Sequence, residues 1–385
     1  MMRSRPRASA ALASLVAATL ACALVAGAAG CQRKPRFVPA SADTSLVVPN
    51  DSLVRKVQAM QDRWSGDDGE NAARIAADLV LHDLRANAAL DPNAAWEPRV
   101  RTYLDSLDVG AELASAPCAI AVNFFPRSDP TAGSWPWVFW CAGPGGRIAS
   151  QAIEGRNLSL VAIATRDLGS GSAATSPRPA ASPPVAASPP PAPGIAVLFA
   201  RRGGAGQQPL LMAWRAGARL ELAQTLGPDS LGGVGTGSFE SAGDSGIVVS
   251  TRTWQPTPRF DECATCPHIY RLRRFLWRPQ GFARIGDQVV DSPYGAFVRL
   301  IQALATGDQA AAAASVAQSG LVDAARRAGW GDARGPWRAA PGSEGEAANE
   351  MAFYRGASEA WRVHFVRRGG VWLVESFEPT TRVIE

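Results

Sequence analysis

Apolar and polar positions alternate with different periods along this chain. Residues 8–30 carry no charged side chain. From Asp51 to about Leu107 the spacing is helical, with Leu53, Val57 and Met60 on one stripe and Ile75, Leu79, His82 and Leu84 on another. Asp51 or Ser52 can cap the first helix, and Asp91-Pro92 breaks the chain before a further helix near Trp96 to Leu107. From Cys118 to Val290 the pattern becomes that of strands divided by glycine-rich turns. The strand runs are 118–125, 135–141, 158–165, 195–200, 210–214, 247–253 and 268–277. Phe297, Leu300, Ile301 and Leu304 then mark an amphipathic helix ending at Gly307, and residues 321–330 suggest another. Three strands close the chain, at 351–354, 360–367 and 371–377, the last two joined around Gly369-Gly370.

A weak repeat runs through the strands. Trp140, Trp214 and Trp277 are each followed by a glycine turn and a second apolar run. Each unit reads as a strand ending in tryptophan, a tight turn and a return strand, which favours repeated hairpins in a sandwich or partial propeller. The fold class expected is therefore multidomain α+β: a helical N-terminal segment, a β-rich middle and a C-terminal α+β domain.

Composition divides the chain further. Residues 169–194 hold eight prolines with alanine and serine, one arginine and no acid. Such a segment cannot bury a core, so it reads as an extended insertion within the β region. Met1 to Arg7 carry three arginines, and Ala28, Ala29 and Gly30 lead from the charge-free run into Cys31. A basic start, an apolar run and a small-residue exit make a secretory signal; an uncleaved signal anchor is the alternative, because a run this long can span a ~30 Å hydrocarbon layer. The expected organisation is a signal peptide over 1–30, a tether over 31–50, a helical segment over 51–116, a β-rich domain over 117–292 and an α+β domain over 293–385.

Cys31 directly after the small residues resembles the lipobox of bacterial lipoproteins. The resemblance implies cleavage before Cys31, acylation of that cysteine, and a body held at the cell envelope facing the periplasm or exterior. Membrane lipid is then one partner, and an envelope protein or glycan is a further candidate.

Charge excludes one class of partner. The net +5 falls to −1 once Arg3, Arg5, Arg7, Arg33, Lys34 and Arg36 are set aside. No basic stripe remains for a nucleic acid, and the cluster after Cys31 suits anionic lipid.

Four cysteines remain after Cys22 and Cys31, an even number that suits two disulfides in an oxidising compartment. If 118–125 and 135–141 form a hairpin, Cys118 faces Cys141 within bonding range; Pro136 then requires an outward-facing edge position. "CATCPH" supplies Cys263, Cys266 and His268, which can form a local disulfide, a metal knuckle or a redox centre. A zinc site needs a fourth ligand, for which Asp261 or a remote residue is conceivable. No cofactor is expected.

Other motifs reduce to turns. "GDSG" at Gly243–Gly246 is similar to the serine motif of chymotrypsin-like proteases, but Ser245 lacks that family's following second glycine and upstream histidine setting, so no nucleophile is implied. "GGVGTG" has no Gly-Lys-Ser/Thr. Residues 235–250 are similar to an FG-GAP blade of integrin-type propellers, but of the family's calcium-binding aspartates only Asp244 is present, so calcium is not implied. Trp135, Trp137 and Trp140 alternate across a strand, with one face for a core and the other open to a sugar or partner. His82 reads as a solvent-edge or satisfied histidine rather than a ligand.

Helices followed by an antiparallel sheet ending in "VWLVESFEP" resemble the cone-shaped nuclear transport factor and steroid isomerase superfamily. That resemblance implies a cone-like domain, with Tyr354 and His364 as the residues that offer themselves for its pocket. The expected function is a noncatalytic binding or scaffolding protein of the envelope. The alternatives are a hydrolase or isomerase using the cone, or a metal or redox sensor at Cys263, Cys266 and His268.

Overall fold

The computed structural model describes residues 51–64, 68–87, 96–142, 147–166, 193–241, 246–340, 348–356 and 358–382. Cys22, Cys31, Asp244, Ser245 and nearly all of the proline-rich insertion lie outside them. The described residues are mostly β: four antiparallel sheets, each of four strands, with seven helices. Residues 48–385 form one compact unit.

Helices α1 (Asp51–Trp64), α2 (Gly69–Asn87) and α3 (Trp96–Ser106) precede the sheets. The first sheet is the meander β1 (Val109–Ala116), β2 (Ala119–Pro126), β3 (Trp135–Cys141) and β4 (Ile148–Ala152). The second is β5 (Leu158–Arg166), β6 (Gly194–Gly203), β7 (Gly206–Ala216) and β8 (Leu220–Leu226). After the short helix α4 (Pro228–Leu231), the third runs β9 (Val234–Ser241), β10 (Ile247–Trp254), β11 (Arg271–Arg278) and β12 (Gly281–Val289). Helices α5 (Pro293–Thr306), α6 (Gln309–Ala314) and α7 (Gly320–Arg327) lead into the fourth: β13 (Trp337–Ala339), β14 (Glu350–Arg355), β15 (Glu359–Arg368) and β16 (Val371–Pro379).

Alternation of side chains across the strands decides how the sheets stack. On β2, Ile120, Val122 and Phe124 pack into the helical core while Ala119 and Ala121 pack against the second sheet. On β6, Ile195, Val197 and Phe199 face the first sheet and Ala196 and Leu198 face the third. A strand covered on both sides reads as a continuous apolar run rather than an alternation. The third sheet ends the series with a polar outer face carrying exposed Thr236, Ser238, Glu240 and Arg274.

Trp140, Trp214 and Trp277 lie on β3, β7 and β11, the third strand of each of the first three sheets. Neighbouring sheets are also pinned by a repeated polar device on their outer strands. Gln151 on β4 accepts from Leu220 N at 3.0 Å and donates to Leu220 O at 3.3 Å. Gln224 on β8 accepts from Phe282 N at 2.6 Å and donates to Phe282 O at 3.2 Å.

The register that pairs Ala119 with Trp140 continues one step to the Cys118–Cys141 disulfide, with Cα atoms 5.3 Å apart. Pro136 sits on an inner strand, not at an edge. Its carbonyl accepts from Ile153 N just past the end of β4 at 2.8 Å, so the one bond the proline forgoes is the reciprocal bond at the end of that ladder. Both faces of the tryptophan-rich strand are covered. Trp135 and Trp137 pack on the helical core, and Trp140 faces the second sheet. The indole of Trp135 lies where a Cβ on Gly69 would stand, so α2 begins with the one residue that admits it.

In the C-terminal part, α5 starts with a Ser292 cap on Gly295 N and Pro293 in its first turn. Its buried face carries Phe297, Leu300 and Ile301 onto Phe353, Val363, Phe365 and Val374 of the fourth sheet. Trp330 and Trp337 fill the remaining space edge-on to Phe297. The sequence pattern missed β13, which is only three residues long.

Candidate functional site

Ionisable and reactive side chains converge on the loop over residues 255–270 between β10 and β11. Pro256 and Pro258 forbid regular pairing there, and Arg259 turns the chain with φ +71°. The turn delivers Phe260 into the core of the C-terminal part, edge-on to Tyr294 and Phe297. Backbone bonds then tie the loop to the free edge of β13: Trp337 N donates to Arg259 O and Asp261 N donates to Trp337 O, both at 2.8 Å. Asp261 points outward and pairs with Arg338.

Glu262 points inward, its side chain 3% exposed. One oxygen accepts from Tyr294 Oη at 2.6 Å and the other from Thr257 N at 2.9 Å. His268 Nδ1 stands 3.9 Å from the second oxygen, an electrostatic contact too long for a hydrogen bond. Burial pushes the carboxyl's pKa up, but His268, Tyr294 and Thr257 together outweigh it and hold the group below the ordinary carboxylate value. Burial, and next the Glu262 charge, push the Tyr294 phenol well above the ordinary tyrosine range. The pair is thus an ionised acid beside a neutral phenol. Both carboxylate oxygens are engaged, one by helix α5 and one by the loop itself.

His268 is buried flat against Trp254, with ring centroids 3.5 Å apart and planes 8° apart. Between Glu262 and His268, Cys263 and Cys266 form a disulfide with Cα atoms 5.0 Å apart, and Cys266 N donates to Cys263 O across the turn. Cys263, Ala264 and Thr265 are exposed. Cys118 and Cys141 are instead buried in the helical core.

The remaining candidates lie apart. Tyr354 and His364 share the face of the fourth sheet opposite the aromatic core, because Phe353, Val363 and Phe365 take the inner positions. Tyr354 aligns with Ala360 and His364 with Glu350, so four register steps separate them. His364 is 3.5 Å from Glu350 and lines an open depression of about 570 Å³ with Arg367, Trp372, Glu375 and Ser376. His82 is exposed on α2. Among the described residues no group of three or more His, Cys, Asp or Glu could hold a metal. No helix among them is long and apolar enough to cross a membrane.

Glu262, Tyr294, Thr257 and Trp254 escaped the sequence reading. A signal was present: in "DECATCPH" two acids, Asp261 and Glu262, precede the first cysteine, and only the turn decides which one points inward.

No protein family, curated protein or solved structure matches this chain.

Proposed function

We propose that the chain is an exported lipoprotein, acylated at Cys31, whose body is a noncatalytic binding or scaffolding module at the surface of the bacterial cell envelope. Its first three sheets are read as a partial propeller, since each is a four-stranded meander with a tryptophan on its third strand. The C-terminal part is read as a cone-like domain. The observation that carries the noncatalytic reading is the filling of its interior. Phe297, Trp330, Trp337 and Phe353 are all fully buried where a cone enzyme would hold substrate, Phe297 stacked on Phe353 and edge-on to Trp337, which is edge-on to Trp330. Two disulfides suit an oxidising compartment. The lipobox-like exit and the Arg33, Lys34, Arg36 cluster suit attachment to anionic lipid.

Crosslinking in the native envelope followed by mass spectrometry tests this reading. A reproducible envelope protein or glycan neighbour is expected. Turnover of a small substrate by the purified body, with no specific neighbour recovered, would overturn it.

A further inference from the structure

We propose that Cys263–Cys266 is a thiol–disulfide exchange site that controls how firmly the 255–270 loop holds the C-terminal part of the fold. The inference does not depend on whether Cys31 carries lipid.

Position is the first ground. The bond closes the turn between Glu262 and His268, so it fixes the two side chains relative to each other. Everything the loop grips lies on either side of that turn. Towards the C-terminal part it offers Phe260, the paired backbone at Trp337, and the Glu262–Tyr294 hydrogen bond. Towards its own sheet it offers the Trp254–His268 stack, and within the loop the Thr257 amide holds Glu262. Opening the ring removes the constraint that keeps both grips in register.

Access is the second ground. Cys263 is exposed while Cys118 and Cys141 are buried, so a reductant in solvent meets one disulfide and not the other. The co-reactant is a dithiol. Its thiolate attacks Cys263 Sγ, the S–S bond breaks, and Cys266 leaves as a thiolate that takes up a proton. The second thiol, deprotonated, then attacks the mixed disulfide and releases Cys263 as a thiolate, which is protonated in turn. The dithiol becomes a cyclic disulfide, so two electrons and two protons have passed to the protein.

The third ground is what the loop covers. β13 is the outer strand of the fourth sheet, and the loop's backbone occupies its free edge. An edge strand is a template for further pairing unless something blocks it. The oxidised loop is that block, and its reduction uncovers the Trp337 edge.

The test uses the full chain in detergent, titrated with dithiothreitol, with alkylation at each cysteine read by mass spectrometry and amide exchange read by peptide. Cys263 and Cys266 should become alkylated at a dithiol concentration at least tenfold below that needed for Cys118 and Cys141. Exchange at Thr257, Asp261 and Trp337 should then quicken at least tenfold while the β2–β3 hairpin is unchanged, and C263S/C266S should reproduce that pattern without reductant. Exchange within twofold of the oxidised protein once the ring is open would overturn the proposal, as would opening of both disulfides together.

Discussion

Tyr294 Oη and Glu262 Oε1 meet at 2.6 Å across the seam between the third sheet and the C-terminal helices. Both side chains are buried, so the bond ties the 255–270 loop to the first turn of α5 out of reach of water. Tyr294→Phe leaves a buried carboxylate oxygen without its donor and should cost about 1–3 kcal/mol in urea unfolding at neutral pH.

The same acid makes a pH prediction. Glu262 is held below its ordinary value of 4.5 in the folded chain. The unfolded chain therefore takes up this proton first as pH falls, and the stabilisation is present above that value and is lost as pH drops through the folded pKa. Unfolding free energies measured between neutral pH and about pH 3 should fall on the acid side. Glu262→Gln should flatten that part of the curve.

Gln151 and Gln224 link successive sheets through the same two-bond contact to a backbone. Replacing either by alanine should destabilise by about 1 kcal/mol, given the net worth of such bonds. The two sites share no partner, so the double variant should lose close to the sum in chemical denaturation. A coupling above about 1 kcal/mol would contradict independent links.

Strand β6 carries two cores on its two faces. Phe199→Ala opens the side towards the first sheet and Leu198→Ala the side towards the third. Each should cost about 3–5 and 2–5 kcal/mol respectively. Amide exchange separates them, because the first should loosen β2 and β3 and the second β10 and β11.

The Cys118–Cys141 disulfide closes a loop of 23 residues in the first hairpin. The paired alanine variant should lose about 3 kcal/mol. Because the bond is buried, that loss should be absent from protein treated with mild dithiol.

Legibility in the sequence followed the physics of each signal. The register of the β2–β3 hairpin followed from alternation, and Cys118–Cys141 came with it, although β2 lies one residue later than the 118–125 run. The tryptophan repeat marked the third strand of three sheets because a large side chain recurs at one structural position. β1 and β9 were missed for opposite reasons. "VGAELASA" has the small, helix-compatible residues of the segment before it. The glycines of "VGTGSFES" read as a turn, although Gly235 is there because a Cβ would strike the Arg252 carbonyl of the paired strand. Of the seam around Glu262 the sequence marked only an acid beside the cysteines, not what it meets. Its partners Thr257, His268 and Tyr294 are brought together only when the third sheet and α5 pack, and nothing periodic marks that event.

Export and anchoring are the claim on which the functional reading stands, and the mass of the mature N-terminal peptide from native membranes tests it most directly. The account predicts a chain beginning at Cys31 with two or three acyl chains attached. A chain retaining Met1 and carrying no lipid, recovered from the cytosol with all its cysteines reduced, would contradict it.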